Sequence, residues 1–386
     1  MAAPSASKRP MGAAEGTLAA TIERTSGGDR NTTLNLASRE FVAFIALRVF
    51  YVALALAIFV LALELLTSGA SSAESVLSRL AADGPTNLFG FGWLGAYVML
   101  SGSPVAATSL SLFNGGAISD LESFAMITGS RFGASFMVLL IGFLYYIRHQ
   151  RNPDGLYIGV VALITTFTIY TPSLLIGLVA LDQGWFDSIK VGAPPGVATA
   201  IQNTGGSVAD RAADALPGLL VFVLGAGALL IAFQLFDRVL PNLEPPSPRL
   251  ERVLAFFHRP LMMFLMGGLV TLLTLSVSIS LTLLVPLSMK GVVRRHGIVP
   301  YVMGANITTF IDTLFAAVVL DAPRAVTVLV VQMALTAAVS LVVLVLLYRP
   351  YQAAILGLAH RLTANRRNFA AFLAAIVLVP GVLLVV

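Results

Sequence analysis

Leu100-Ser-Gly-Ser-Pro-Val105, followed by Gly116 and by Gly129-Ser-Arg-Phe-Gly-Ala-Ser135, has a counterpart further along the chain. The counterpart reads Leu275-Ser-Val-Ser-Ile-Ser280, then Gly291, then Gly304-Ala-Asn-Ile-Thr-Thr309. One ungapped shift of 175 residues superposes Pro85 on Pro260, Phe89 on Phe264 and Gly92 on Gly267. The same shift carries Leu100, Ser101, Ser103, Gly116 and Gly129 onto Leu275, Ser276, Ser278, Gly291 and Gly304. The chain is therefore read as an internal duplication.

Both copies lie inside apolar stretches. The chain is 57% hydrophobic and 11% charged, where a soluble domain carries roughly a quarter charged residues. Several stretches exceed the roughly 20 apolar residues that cross a bilayer. The reading is an all-α polytopic membrane protein; a transmembrane barrel would show short alternating strands instead. The net charge of +5 does not point to nucleic acid, because the arginines cluster in loops, where they report topology. There is no cysteine, which excludes disulfides and thiolate metal sites. His149, His258, His296 and His360 fall in short polar loops and are read as solvated. Residues 1–40 are rich in Ala, Ser, Thr and Gly, lack the apolar core of a signal peptide, and read as a disordered cytoplasmic tail.

The clean spanning segments are Phe41–Leu66, Tyr157–Leu181, Leu216–Phe236, Ala325–Tyr348 and Phe369–Val386. Each duplicated region adds two further apolar segments, Leu88–Phe113 with Phe124–Ile147, and Leu261–Leu287 with Ile298–Leu320. With the N-terminus inside, a full crossing by Leu88–Phe113 would put the basic loop around Arg148 and Arg151 outside, against the positive-inside rule. Every basic cluster falls on one side only if residues 88–113 and 261–287 enter and return as re-entrant hairpins. The first then enters from outside and the second from inside, so the halves are inverted repeats. Each arm is about 12 residues, or roughly 18 Å of helix, so each tip stops near the midplane. The expected organisation is a cytoplasmic tail (1–40), repeat 1 (41–181), an extracytoplasmic loop (182–215), repeat 2 (216–348), a basic cytoplasmic loop (349–368) and a last span (369–386). The helices 123–147 and 298–320 are expected to be broken at Gly129–Gly133 and Gly304–Thr309, where Gly, Ser, Asn and Thr replace Leu and Val.

Over roughly residues 41–348 these motifs resemble the sodium-dependent phosphate cotransporter family (type II Na/Pi symporters). That family carries a Gln-Ser-Ser-Ser stretch and, about 29 residues later, Gly-x-Asn-Ile/Val-Gly-Thr. Leu100-Ser-Gly-Ser103 precedes Gly129, and Leu275-Ser-Val-Ser278 precedes Gly304, by that spacing. Ile298-Val-Pro-Tyr-Val-Met-Gly-Ala-Asn-Ile-Thr-Thr309 is similar to the family's second glycine motif. The chain departs from the pattern at Leu100 and Leu275, where the family has Gln, at Gly102 and Val277, and at Arg131, where the family has Asn. The resemblance implies sodium-coupled symport of phosphate or a related small anion by alternating access, with no organic cofactor. It implies a substrate site at Ser101, Gly102, Ser103, Ser130, Arg131, Ser276, Ser278, Asn306, Thr308 and Thr309. It implies sodium ligands among Ser103, Ser278, Ser280, Asn306, Thr308 and Asp312. The partners are the anion and the lipid bilayer of the cell inner membrane, with the N-terminus cytoplasmic; the sequence does not set the oligomeric state.

The chemistry suits such a site. Sodium, a hard cation, takes hydroxyl and carbonyl oxygens, and helix N-termini present N–H groups to an anion. The competing reading of each small residue is close helix packing. Arg131 and Asp312 stand out because ionisable groups inside spans are costly and usually functional. Arg131 either binds an anion or holds a fixed charge where another member places sodium; alternatively the two residues pair as a structural bridge. Enzyme classes are not favoured. No histidine falls in a span to partner a nucleophilic serine, and neither His-Glu-x-x-His nor a phosphate-binding Gly-x-x-x-x-Gly-Lys loop occurs. A transporter fold serving only as a binding or scaffold protein is the remaining alternative.

Overall fold

The computed structural model describes residues 30–79, 84–148, 154–186, 208–239, 259–289 and 293–385. The chain divides into two units, Met1–Val52 and Ala53–Val386. The described part of the first unit is helical throughout. Among the described residues there are helices and no strands. In chain order they are α1 (Arg30–Ser68), α2 (Ala70–Arg79), α3 (Pro85–Met99), α4 (Ser103–Asn114), α5 (Asp120–Arg148), α6 (Asp154–Asp182) and α7 (Gly218–Val239). They continue as α8 (Pro260–Thr274), α9 (Val277–Met289), α10 (Arg295–Thr308), α11 (Ile311–Val319), α12 (Pro323–Leu346), α13 (Tyr348–Ala364) and α14 (Arg366–Leu383). Among the described residues, seven stretches are long and apolar enough to cross a membrane: Ala46–Ser68, Asp120–Leu144, Asp154–Asp182, Gly218–Phe236, Arg295–Val319, Pro323–Leu346 and Arg366–Leu383. This is a multi-span helical membrane protein. The most apolar stretch of α5 is 78% buried and that of α14 only 11%, so α5 is central and α14 peripheral.

The 175-residue shift holds in three dimensions. Helices α3 and α8 are each 15 residues long and begin at Pro85 and Pro260, where a proline costs no helical hydrogen bond. Both stop at a leucine in the left-handed region, Leu100 (φ 52°) and Leu275 (φ 47°), a conformation that ends a helix and that leucine rarely adopts. The chain then folds back. In the first half, Gly95 packs against the Val105 side chain. In the second, Gly267 before the break and Ser280 after it both meet Tyr301.

The glycines explain how α3 seats on α5 and α8 on α10. A Cβ at Gly92 would collide with the Met126 carbonyl, and one at Gly129 with the Phe89 carbonyl. In the second half, a Cβ at Gly267 would collide with the Tyr301 carbonyl, and one at Gly304 with the Phe264 carbonyl. All four contacts map onto one another under the same shift. Backbone here touches backbone, which only a residue without a side chain permits.

Two ion pairs set helix directions. Asp120, at the start of α5, lies 2.7 Å from Arg324 at the start of α12. Arg295, at the start of α10, lies 2.7 Å from Asp154 at the start of α6. Since α6 starts where α5 ends, α5 and α10–α11 run in opposite directions. The Glu122 carboxylate accepts the Gly84 N–H (2.8 Å) and the Ser119 N–H (2.7 Å). Both ends of the α3–α4 pair therefore sit at the start of α5. Met263, at the start of α8, packs on Gly297 at the start of α10, so the second pair starts from the opposite end of the bundle.

Three expectations need correction. Helix α5 is continuous over Asp120–Arg148, without the expected break at Gly129–Gly133. The physical reason is that Gly129 and Gly133 are used for contact with Phe89 and Trp93 of α3, while the Ser130 and Ser135 hydroxyls bond carbonyls of their own helix. Residues 349–368 are not a loop; α13 fills most of this stretch, burying Gln352, Ile355 and Ala359 on one face at helical spacing. Helix α1 begins at Arg30, so residues 30–40 are not a disordered tail; no proline or glycine interrupts them. The rest of that expected tail lies outside the described residues, as do residues 187–207 of the expected extracytoplasmic loop, while 208–215 are helical.

Gly129→Ala and Gly304→Ala should each destabilise the protein by about 1–3 kcal/mol through overpacking. Gly357→Ala, with open space at its Cβ, should be neutral or mildly stabilising. Apparent Tm in detergent checks all three.

Candidate functional site

Arg131 lies in the middle of α5 with 2% of its surface exposed. Its guanidinium leaves its own half of the chain and reaches the junction of α10 and α11. Nη1 donates to Thr309 Oγ1 (3.3 Å) and Nη2 to Thr313 Oγ1 (2.6 Å). The guanidinium carbon stands 4.7 Å from the centroid of the Phe310 ring, a cation–π distance. Asp312 Oδ1 is 3.9 Å from Nη2 and accepts the Thr313 hydroxyl at 2.8 Å. Thr313 thus accepts from the arginine and donates to the aspartate, so the two charges meet chiefly through one hydroxyl. Ser103, the first residue of α4, stands within reach of the Asp312 carboxylate. Two atoms of this cluster are buried with no hydrogen-bond partner among the described residues, Arg131 Nε and Asp312 Oδ2.

The junction is held by residues of other helices. In an unbroken helix the Asn306 carbonyl accepts the N–H of Phe310. Here Phe310 N–H turns to the Ile307 carbonyl (3.5 Å), and the Asn306 carbonyl instead accepts the Tyr170 hydroxyl of α6 at 2.6 Å. The Asn306 amide donates to Thr166 Oγ1 (3.1 Å), and Thr308 Oγ1 donates to the Gly268 carbonyl (2.9 Å). Helices α6 and α8 therefore hold the break from two sides, and the freed turn presents Thr309, Phe310, Asp312 and Thr313 to Arg131.

The sequence-derived residues separate into two groups. Ser103, Arg131, Thr309 and Asp312 come together. Gly102 packs beside them, its notional Cβ 2.7 Å from the Ser130 carbonyl, and Ser101 is the half-buried residue before it. Asn306 joins through Tyr170, whose ring lies 5.9 Å from that of Phe310. The Ser130 hydroxyl donates to the Ile127 carbonyl of its own helix (2.7 Å). Among the described residues no hydrogen bond links Ser276, Ser278 or Ser280 to Arg131. Ser276 Oγ accepts the Ile279 N–H (3.3 Å), and the Ser280 hydroxyl shares a hydrogen bond with the Tyr301 hydroxyl (3.0 Å). The expected sodium ligands divide likewise: Ser103 and Asp312 lie together, Ser278, Ser280 and Thr308 make contacts within the second half, and Asn306 is bonded to Thr166 and Tyr170 of α6.

Sequence reasoning missed Thr313, Thr166 and Tyr170. Thr313 carries a readable signal, since Thr309 and Thr313 are four apart and share a helix face. Thr166 and Tyr170 repeat that spacing on α6, but nothing local marks them as supports for another helix. A cavity of about 250 Å³ lies elsewhere, among Asp154, Tyr157, Ser288, Arg294 and Arg295 at the end of the bundle where α6 and α10 start. It opens beside exposed arginines and contains no residue of the central cluster.

What the arrangement can do follows from its atoms. The guanidinium and the N-terminus of α4 attract an anion. The carboxylate and nearby hydroxyls offer oxygens to a cation or to a hydrogen-bond donor. No group of three or more His, Cys, Asp or Glu residues suited to a metal occurs among the described residues. No family model, curated protein or solved structure matches the chain.

Arg131→Met should destabilise the protein by about 3–5 kcal/mol, because it leaves Asp312 buried without its counter-charge. Arg131→Met combined with Asp312→Leu should recover a large part of that loss. A double-mutant cycle on chemical denaturation in detergent measures the coupling; additive losses would refute it.

Proposed function

We propose that this protein is a secondary active transporter, a sodium-coupled symporter of phosphate or a related small anion that works by alternating access. In this reading the two halves are inverted repeats, α3–α4 and α8–α9 are re-entrant hairpins, and α5 and α10–α11 cross between them at the substrate site. The observation that carries it is the buried guanidinium of Arg131 at the crossing, answered by Thr309, Thr313 and Asp312 from the other half. An intramembrane charge at the meeting of two oppositely directed repeats is where such transporters hold substrate and coupling ion. Arg131 and the N-terminus of α4 would take the anion. Asp312 and the Ser103 hydroxyl would supply oxygens to sodium.

The basic residues support an orientation. Arg294 and Arg295 lie at the start of α10, and the Tyr348 hydroxyl bonds the His296 carbonyl (2.9 Å). That bond brings α13, with Arg349 and Arg361, to the same end. Asp120 and Glu122 mark the opposite end. By the positive-inside rule the α10 start is cytoplasmic, which fits a cytoplasmic N-terminus in a cell inner membrane. A transporter fold acting only as a binding or scaffold protein is the second reading. The observation that favours it is that apolar Leu100 and Leu275, each about half exposed, hold the two breaks where the resembled family carries Gln.

The test is phosphate uptake into proteoliposomes with and without an inward sodium gradient. Sodium-driven, saturable uptake is expected, falling at least about tenfold in Arg131→Gln, since a hydrogen-bonded charge contact would be lost. Specific anion binding without gradient-driven uptake would leave the binding-protein reading in its place.

A further inference from the structure

We infer that the cavity at the start of α6 and α10 is a binding site for the headgroup of an anionic phospholipid, with Arg294 as the residue that holds the headgroup phosphate. The inference is separate from the transport reading. It uses only the multi-span fold and the orientation that the basic residues give it.

The cavity holds about 250 Å³, and its walls come from both halves of the chain: Asp154, Tyr157 and Ile158 of α6, Ser288 of α9, and Arg294 and Arg295 at the start of α10. One liquid water takes roughly 30 Å³, so the space admits a group of several heavy atoms. The two arginines are placed differently. Arg295 is committed to the protein, with Nη2 2.7 Å from Asp154 Oδ1 and the guanidinium carbon 4.9 Å from the centroid of the Tyr157 ring. The Tyr157 hydroxyl donates in turn to the Leu356 carbonyl of α13 (3.3 Å), so this wall is braced. Arg294 is exposed, and among the described residues no ion pair or hydrogen bond engages its guanidinium. Asp154 is answered by Arg295, so the described lining keeps one net positive charge, that of Arg294.

A guanidinium with free donors matches a phosphate group, to which it can give two parallel hydrogen bonds. Position and surroundings make that phosphate a lipid's. The cavity lies at the end of the bundle where α6 and α10 start, the level of the headgroups in a bilayer that these spans cross. Tyr348 and Gln352 both donate to the His296 carbonyl (2.9 and 2.6 Å), which brings α13 with Arg349 and Arg361 to the same end. Cytoplasmic leaflets carry anionic lipids, and basic pockets between spans on that side hold their headgroups. An apolar surface stands beside the cavity as well. The last two turns of α5 expose Phe143, Leu144 and Ile147, and a Cβ at Gly142 would collide with the Gly155 carbonyl, so this surface is seated against the start of α6. Acyl chains would run along it while the headgroup meets Arg294 and the Ser288 hydroxyl. A zwitterionic headgroup would bring its own cation to a lining that is already positive, and is disfavoured.

The experiment is native mass spectrometry of the purified full chain in detergent, titrated with phosphatidylglycerol or with phosphatidylcholine of the same acyl chains. Wild type should bind phosphatidylglycerol about fivefold or more tightly than phosphatidylcholine. Arg294→Gln should lose about tenfold to a hundredfold of the phosphatidylglycerol affinity, the range for a hydrogen bond to a charged group. Its apparent Tm without lipid should match wild type, because the side chain has no partner to lose. Arg361→Gln, an exposed arginine of α13 at the same end, should stay within about twofold of wild type, since distant exposed charges are screened. Equal binding of the two lipids, or an equal loss in Arg361→Gln, overturns the inference and leaves only diffuse attraction by surface charge. Displacement of the bound lipid by inorganic phosphate or glycerol 3-phosphate at equal concentration also overturns it, by making the site one for a free phosphate group. So does the absence of lipid binding. Lipid binding that depends on Arg294, in a protein that shows no gradient-driven uptake, strikes the transport reading alone.

Discussion

A guanidinium shut away from water needs oxygens around it, and among the described residues Arg131 finds its hydrogen-bond acceptors in the opposite half of the chain. Its own helix offers none, because the Ser130 and Ser135 hydroxyls are engaged with carbonyls of α5. Thr309 and Thr313 answer it from the turn where α10 gives way to α11. That turn is available because Tyr170 holds the Asn306 carbonyl away from its helical partner. The charge, the break and the support from α6 form one chain of dependence. A straight α10–α11 would alter the presentation of the hydroxyls, and without them the buried charge would lose its hydrogen bonds.

The two halves share a backbone plan and differ in what fills it. Reciprocal glycine contacts seat α3 on α5 and α8 on α10 in the same register, and both first helices end at a left-handed leucine. Upon this common frame the polar residues have diverged. Arg131 and Asn306 occupy equivalent positions, yet one reaches across the bundle while the other braces a break against Thr166. The equivalent first residues of α5 and α10, Asp120 and Arg295, carry opposite charges and find opposite partners. Backbone-to-backbone packing tolerates no side chain at the contact, so the glycines hold the frame. Polar positions around it are freer to specialise.

The asymmetry bears on mechanism. One half contributes a fixed cation on a continuous helix. The other contributes hydroxyls and a carboxylate at an interrupted one. In the transporter reading proposed above, a substrate held between them would touch a continuous helix on one side and a helix junction on the other. The peripheral α14 shows a different kind of anchoring. It is tied to α3 by the Tyr97 hydroxyl donating to the Ile376 carbonyl (2.8 Å) and by the Asn87 amide donating to the Leu384 carbonyl (3.1 Å).

Composition determined that the chain is a helical membrane protein, because apolar stretches of that length have few other stable fates. The spaced repeat determined that it has two similar halves, and the equivalence of Gly92, Leu100 and Gly129 with Gly267, Leu275 and Gly304 carries into the fold residue by residue. The buried pair Arg131 and Asp312 was legible too, since charges within spans are rare. Only the tertiary structure decided what each glycine does. Gly129 and Gly304 look alike in sequence and both serve close packing, yet the helix stays whole near the first and breaks a turn beyond the second. That difference is set by Tyr170, Thr166 and Gly268, which lie far from the break in sequence and meet it only when α6 and α8 pack against it. Local residue types specify where a helix can yield. A hydrogen-bond partner delivered from another helix decides where it does.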